Sequence, residues 1–132
     1  MSALTLVLPW AVLEHDNHRL MPIRLRGGKV RNITAPKYRA AKEHASLLLT
    51  ALWRGAALAG PVEVHGVAFF PDLRKRDAAN YRKLITDALT GIAYADDSQV
   101  HREIWERGPI DRTNPRIELT VCPLTLTSDA PS

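Results

Sequence analysis

"PDLRKRDAANYRKLITDALTGIAYADDSQV", residues 71–100, sets a run of cations against two groups of acids. At about 100° per residue, Tyr81, Leu84, Ile85, Ala88 and Leu89 share one side of a helix over residues 77–90, and that side should face a core. Asp77 stands where an N-cap belongs and Gly91 where a helix stops. Asn80, Lys83 and Asp87 follow at steps of three and four beside the apolar stripe, with Asp77 one turn earlier. One flank therefore carries two carboxylates, an amide and an ammonium. Alone, that row also suits an ordinary surface, with a capping acid, an exposed amide and a helical ion pair worth about 0.3 kcal/mol.

Working outward, residues 4–8 form an apolar run ended by Pro9, which reads as a strand. Residues 9–35 show no sustained period. They contain Gly27, Gly28 and five basic residues, the composition of a long basic loop or irregular hairpin. Thr34 and Pro36 signal a helix start, and Tyr38, Ala41, Ala45, Leu48, Leu49 and Leu52 recur at helical spacing up to Gly55. After Pro61, VEVHGVAFF reads as a strand, with Gly66 a candidate bulge. Residues 98–106 and 116–122 read as two further strands, the latter with Ile117, Leu119 and Val121 alternating against Arg116, Glu118 and Thr120. Gln99 falls at a strand start. The expected fold is α+β: one domain over residues 1–124, a mixed β-sheet with two main helices, order β-loop-α-β-α-β-β, an antiparallel pair at its end and a flexible tail over 125–132.

Composition limits the function. The 132 residues suffice for one core, and 45% apolar with 24% charged residues is the balance of a folded soluble protein. No apolar stretch is long enough to span a bilayer, and the apolar opening has no basic residues before it, so neither a membrane nor a secretory role is expected. Cys122 is the single cysteine, which excludes an intrachain disulfide, argues against structural zinc and fits a reducing cytoplasm. Of the net charge of +4, residues 1–54 carry +6 and the remainder −2. The basic first half points to a polyanion, or equally to a solvated surface.

Asp96 and Asp97 shift the weighing. Adjacent carboxylates repel, so a fold tolerates them in open solvent or beside a cation. Carboxylates converging from different elements make a site for a hard divalent ion, which polarises a phosphodiester and lowers the pKa of bound water. Lys83 suits a phosphate oxygen, and Arg74, Lys75 and Arg76 suit the neighbouring backbone. A solvated turn before a strand is the plain alternative for the acidic pair.

Residues 71–100 resemble the RusA family of Holliday-junction resolvases, whose signature joins a basic run, an Asp-x-Asp-Asn helix start, a Lys three residues on, an Asp-Ala-Leu and an Asp-Asp-x-Gln-Val. The N-terminal LPW, the Asn17-His18-Arg19 stretch and the strand from Arg116 to Val121 are similar to the family's opening and end. The resemblance implies a homodimeric, Mg²⁺- or Mn²⁺-dependent endodeoxyribonuclease without a small-molecule cofactor, cutting paired strands of a four-way DNA junction in recombination and repair. It implies a bacterial or phage-encoded, cytoplasmic, nucleoid-associated protein. It also implies roles: Asp77, Lys83 and Asp97 catalytic; Asp77, Asp87, Asp96 and Asp97 around the metal; Asn17, Arg19, Arg24, Arg26, Lys29, Arg31, Arg74, Lys75, Arg76 and Asn80 on the DNA. The chain departs from the signature at one place, where Ala79 replaces the second aspartate. Loss of that carboxylate lowers affinity for the ion. Three outcomes stay open: the remaining acids suffice, the chain is an inactive or engineered variant, or it binds junctions without cutting them.

The other residues give weaker signals. The histidines lack zinc-binding spacing, and Trp10, Trp53 and Trp105 read as core or interface rather than base-stacking groups. A branched-DNA-binding module without hydrolysis and a small RNA-binding protein are the rival functions. The hydrolytic expectation requires oxygens of Asp77 to meet those of Asp96 and Asp97 around one cation.

Overall fold

The computed structural model describes residues 4–125. It is a small α+β domain built on a four-stranded mixed sheet. In chain order the elements are β1 (Thr5–Pro9), β2 (Leu20–Arg24), β3 (Val30–Thr34), α1 (Pro36–Leu52), β4 (Val62–Phe69), α2 (Arg82–Leu89), β5 (Val100–Arg107) and β6 (Arg116–Pro123). Short 3-10 turns lie at Trp10–Val12, Asp16–His18, Ala78–Tyr81 and Asp97–Gln99. The expected tail falls largely on residues 126–132, outside the described residues.

The sheet order is β1-β6-β4-β5. β6 runs antiparallel to both β1 and β4, while β5 lies parallel to β4. The expected antiparallel pair of the last two strands is therefore corrected, because β6 enters the sheet between β1 and β4. A parallel neighbour needs a crossover, and the segment carrying α2 supplies it between β4 and β5. The stretch expected as a loop over residues 9–35 contains two 3-10 turns and the separate hairpin β2-β3. Gly27 and Gly28 take φ of 89° and 84° at its tip, a left-handed backbone that side chains disfavour.

Period-two patterning decides which strand faces are covered. Val62, Val64 and Ala68 of β4 join Leu6, Leu8, Ile117, Leu119 and Val121 in one buried layer. Ala45 and Leu49 of α1 and Ile85, Ala88 and Leu89 of α2 close that layer from the other side. Each large aliphatic side chain so buried contributes roughly 1.5–3 kcal/mol. Gly66 marks no bulge: a Cβ there would stand 2.4 Å from the Trp105 ring, and the register shift lies between Val62 and Glu63. Trp10, Trp53 and Trp105 pack against the core, as expected of them.

Candidate active site

The loop leaving β4 is organised by Asp72. Its carboxylate takes two hydrogen bonds from the Arg76 guanidinium, at 2.6 and 3.3 Å, and one from the Arg74 amide at 3.0 Å. Those bonds, Arg76 first, hold the Asp72 carboxyl down to about 2. The guanidinium also sits 5.2 Å from the Trp10 ring centroid and 5.6 Å from that of Phe70, leaving the Arg76 side chain only 15% exposed. Of the three cations expected to grip DNA here, Arg76 is thus largely committed to the fold, whereas Arg74 and Lys75 are exposed.

Asp77 follows in extended backbone at φ −119°, ψ 132°, exposed and without a capping hydrogen bond from its side chain. The expected continuous helix over residues 77–90 is a 3-10 turn running into α2, whose first amides are capped from elsewhere. Asp16, from the segment between β1 and β2, accepts the Lys83 amide at Oδ2 (2.9 Å) and the Leu84 amide at Oδ1 (3.1 Å). The Tyr38 hydroxyl of α1 donates to the same Oδ1 at 3.1 Å. Burial, reinforced by this carboxylate, raises the Tyr38 pKa and keeps the hydroxyl a donor. Asp16 thereby does the work expected of Asp77, whose carboxylate has no ion-pair partner among the described residues.

Two clefts flank the start of α2. The larger, about 610 Å³, is lined by Lys75, Arg76, Asp77, Asn80 and Arg107. The smaller, about 200 Å³, is lined by Arg82, Lys83, Thr86, Asp97, Val100 and Glu103. In the second, Arg82 grips Glu103 through two bonds of 2.7 and 2.5 Å, and the Trp105 indole N–H adds a third at 2.9 Å. The Arg82 bond depresses the Glu103 pKa and raises its own. Lys83 Nζ pairs with Asp87 Oδ1 at 3.1 Å, as the helical spacing predicts.

The acidic pair divides its labour. Asp96 caps the turn Asp97–Gln99 in a capping box, and the Ser98 hydroxyl bond is the main cause of its lowered pKa. Gln99 is not a strand start: its amide oxygen accepts the Ala95 and Asp96 amides, and its nitrogen donates to the Leu58 and Gly60 carbonyls. Asp97 stays exposed and enters no ion pair among the described residues.

Carboxylate oxygens are the right donors for a hard divalent ion. Even so, among the described residues no three His, Cys, Asp or Glu side chains gather closely enough to hold one. Asp77, Asp87, Asp96 and Asp97, the acids expected around one cation, differ in what their side chains already hold. Asp87 is paired with Lys83, Asp96 is occupied by its own turn, and Asp77 and Asp97 open on clefts that share no lining residue. Ala79, exposed in the turn between Asp77 and Asn80, supplies no side-chain oxygen.

The remaining expected contacts lie on the surface. Arg24, Arg26, Lys29 and Arg31 are exposed along the β2-β3 hairpin and Asn17 is exposed before it, while Arg19 is half-buried and its carbonyl accepts the Ala35 amide. Two residues that shape this region escaped the sequence reading: Asp16, which caps α2, and Arg107, which lines the larger cleft. No short-range pattern marks either one, because both act across the tertiary structure.

Exposed acids beside cations, on a basic α+β domain, are what an enzyme of phosphodiester polymers needs. The family model described as endodeoxyribonuclease RusA matches residues 16–122, and the chain belongs to that family. No curated protein matches the chain.

Proposed function

We propose that the chain binds four-way and other branched DNA across the larger cleft and the β2-β3 hairpin, and that Ala79 holds back the phosphodiester hydrolysis typical of its family. The observation that carries this reading is the cleft itself, where Lys75, Asn80 and Arg107 surround an uncommitted Asp77. Cations there and on the hairpin serve the backbone of the polymer, which supplies affinity without reading sequence. Asp77, Lys83 and Asp97 are the proposed hydrolytic residues, and an acid at position 79 is the missing member. Since residue 79 is exposed, aspartate fits there without disturbing the core. Two symmetric incisions call for two copies of the chain, so a homodimer belongs to the proposal.

A synthetic four-way junction with Mg²⁺ or Mn²⁺ provides the test. Wild-type protein should retard the junction in a gel and cut it slowly or not at all. Ala79→Asp should cut at least about tenfold faster, the scale on which one supporting metal-site group acts, and Asp97→Asn in that background should abolish the gain. Cleavage by wild type as fast as by Ala79→Asp would show that the existing acids suffice, and no cleavage by either would show that residue 79 is not what holds hydrolysis back. Absence of junction binding, or preference for structured RNA, would remove the DNA reading.

A further inference from the structure

We infer that Arg107 is a phosphate-binding residue, the fixed cation of the cleft beside Asp77; this rests on the branched-DNA reading above. The neighbouring arginines are already satisfied by acids: Arg76 by Asp72, Arg82 by Glu103, and Arg116 by Asp111 and Glu118. Arg107 has no carboxylate partner among the described residues. Its side chain is nonetheless held in place. The guanidinium carbon lies 5.2 Å from the ring centroid of Phe70, which is fully buried and so presents an immobile surface. One terminal nitrogen, Nη2, donates to the carbonyl of Arg76, the peptide immediately before Asp77.

That single bond leaves most of the guanidinium N–H donors unused. Asp77 lines the same cleft without forming an ion pair with Arg107, so the cation is not neutralised by the acid nearest in function. A planar fork lying over an aromatic ring, without a carboxylate partner among the described residues and open to solvent, is preorganised for two parallel bonds to a phosphate. Lys75 lines the same opening as an exposed, more adaptable charge. The phosphate seated on Arg107 would lie against the peptide that carries Asp77, which sets the register of the DNA backbone relative to that carboxylate.

A purely structural role, pinning the Arg76 carbonyl, makes a different forecast, and salt dependence separates the two. Junction affinity of the full chain is measured from about 50 to 200 mM salt for wild type, Arg107→Gln and Arg107→Lys, with thermal unfolding as a control on folding. Arg107→Gln should bind about tenfold more weakly at the lowest salt, the scale of one charge-assisted hydrogen bond. Its log–log salt slope should shrink by about 0.9, the share of one phosphate contact. Arg107→Lys should keep the slope while losing part of the affinity. An unchanged slope for folded Arg107→Gln, with wild type still binding the junction, would overturn this inference alone; failure of wild type to bind would instead overturn the functional reading beneath it.

Discussion

At the scale of single residues the structure reassigns a capping acid. Position and residue type make Asp77 the N-cap of the second helix in sequence, but the α2 amides of Lys83 and Leu84 go to Asp16, which also receives the Tyr38 hydroxyl. No periodicity connects residue 16 with residue 83, since the bond spans 67 positions and only the packing of the Asp16–His18 turn against α2 brings the groups together. Asp16→Ala should therefore destabilise the chain by about 2–3 kcal/mol in urea unfolding, because it removes a cap and strands a hydroxyl at once. Tyr38→Phe, which spares the cap, should cost about 1 kcal/mol. Amide exchange at Lys83 and Leu84 should quicken in the first variant and not in the second. Equal losses in the two variants would mean that Asp16 acts through Tyr38 and not as a helix cap.

At the scale of elements the β2-β3 hairpin carries the charge. No Asp or Glu occurs between Asp16 and Glu43, and the hairpin within that stretch exposes Arg24, Arg26, Lys29 and Arg31. A two-stranded ribbon is narrow enough to enter a major groove. Replacing those four residues with alanine should cut junction affinity at least about a hundredfold at low salt and flatten the salt slope by up to about 3.6. Stability should move by less than about 1 kcal/mol, as is usual for exposed side chains; a larger loss would show that the charges serve the fold. Here the sequence was only partly legible. Basic residues and two glycines announced a functional segment, whereas strand pairing within it depends on the register Leu20↔Thr34 through Arg24↔Val30. Weak alternation in MPIR and VRNI hides that register from a local reading.

For the whole molecule, ionisation sets the pH range of stability. Asp72, Glu103 and Asp111 all have folded pKa values below their ordinary ones, through hydrogen bonds led by Arg76, Arg82 and the Asn114 amide respectively. A depressed carboxyl stabilises the fold above its unfolded pKa and loses that contribution as pH falls through its folded value. Melting temperature should thus stay level above about pH 5 and drop between about pH 4 and 2; Glu103→Gln should make the drop shallower. The buried hydroxyls of Tyr38 and Tyr94 have raised pKa values, so their contribution is complete below about pH 10 and declines above it. An unchanged acid limb in Glu103→Gln would mean that its pair with Arg82 contributes nothing net. Among the described residues no helix is long and apolar enough to cross a membrane. By itself, the sequence determined the α+β class, both helices, the Lys83–Asp87 pair and the family, because these rest on patterns within a few turns of chain or on one contiguous motif. Only the tertiary structure decided that β6 lies between β1 and β4, that Arg76 is held by Asp72 and two aromatic rings, that Asp16 caps α2, and that Arg107 lines the cleft beside Asp77. Those outcomes depend on which distant side chains packing brings together, and a pattern within a few turns of chain carries no record of that.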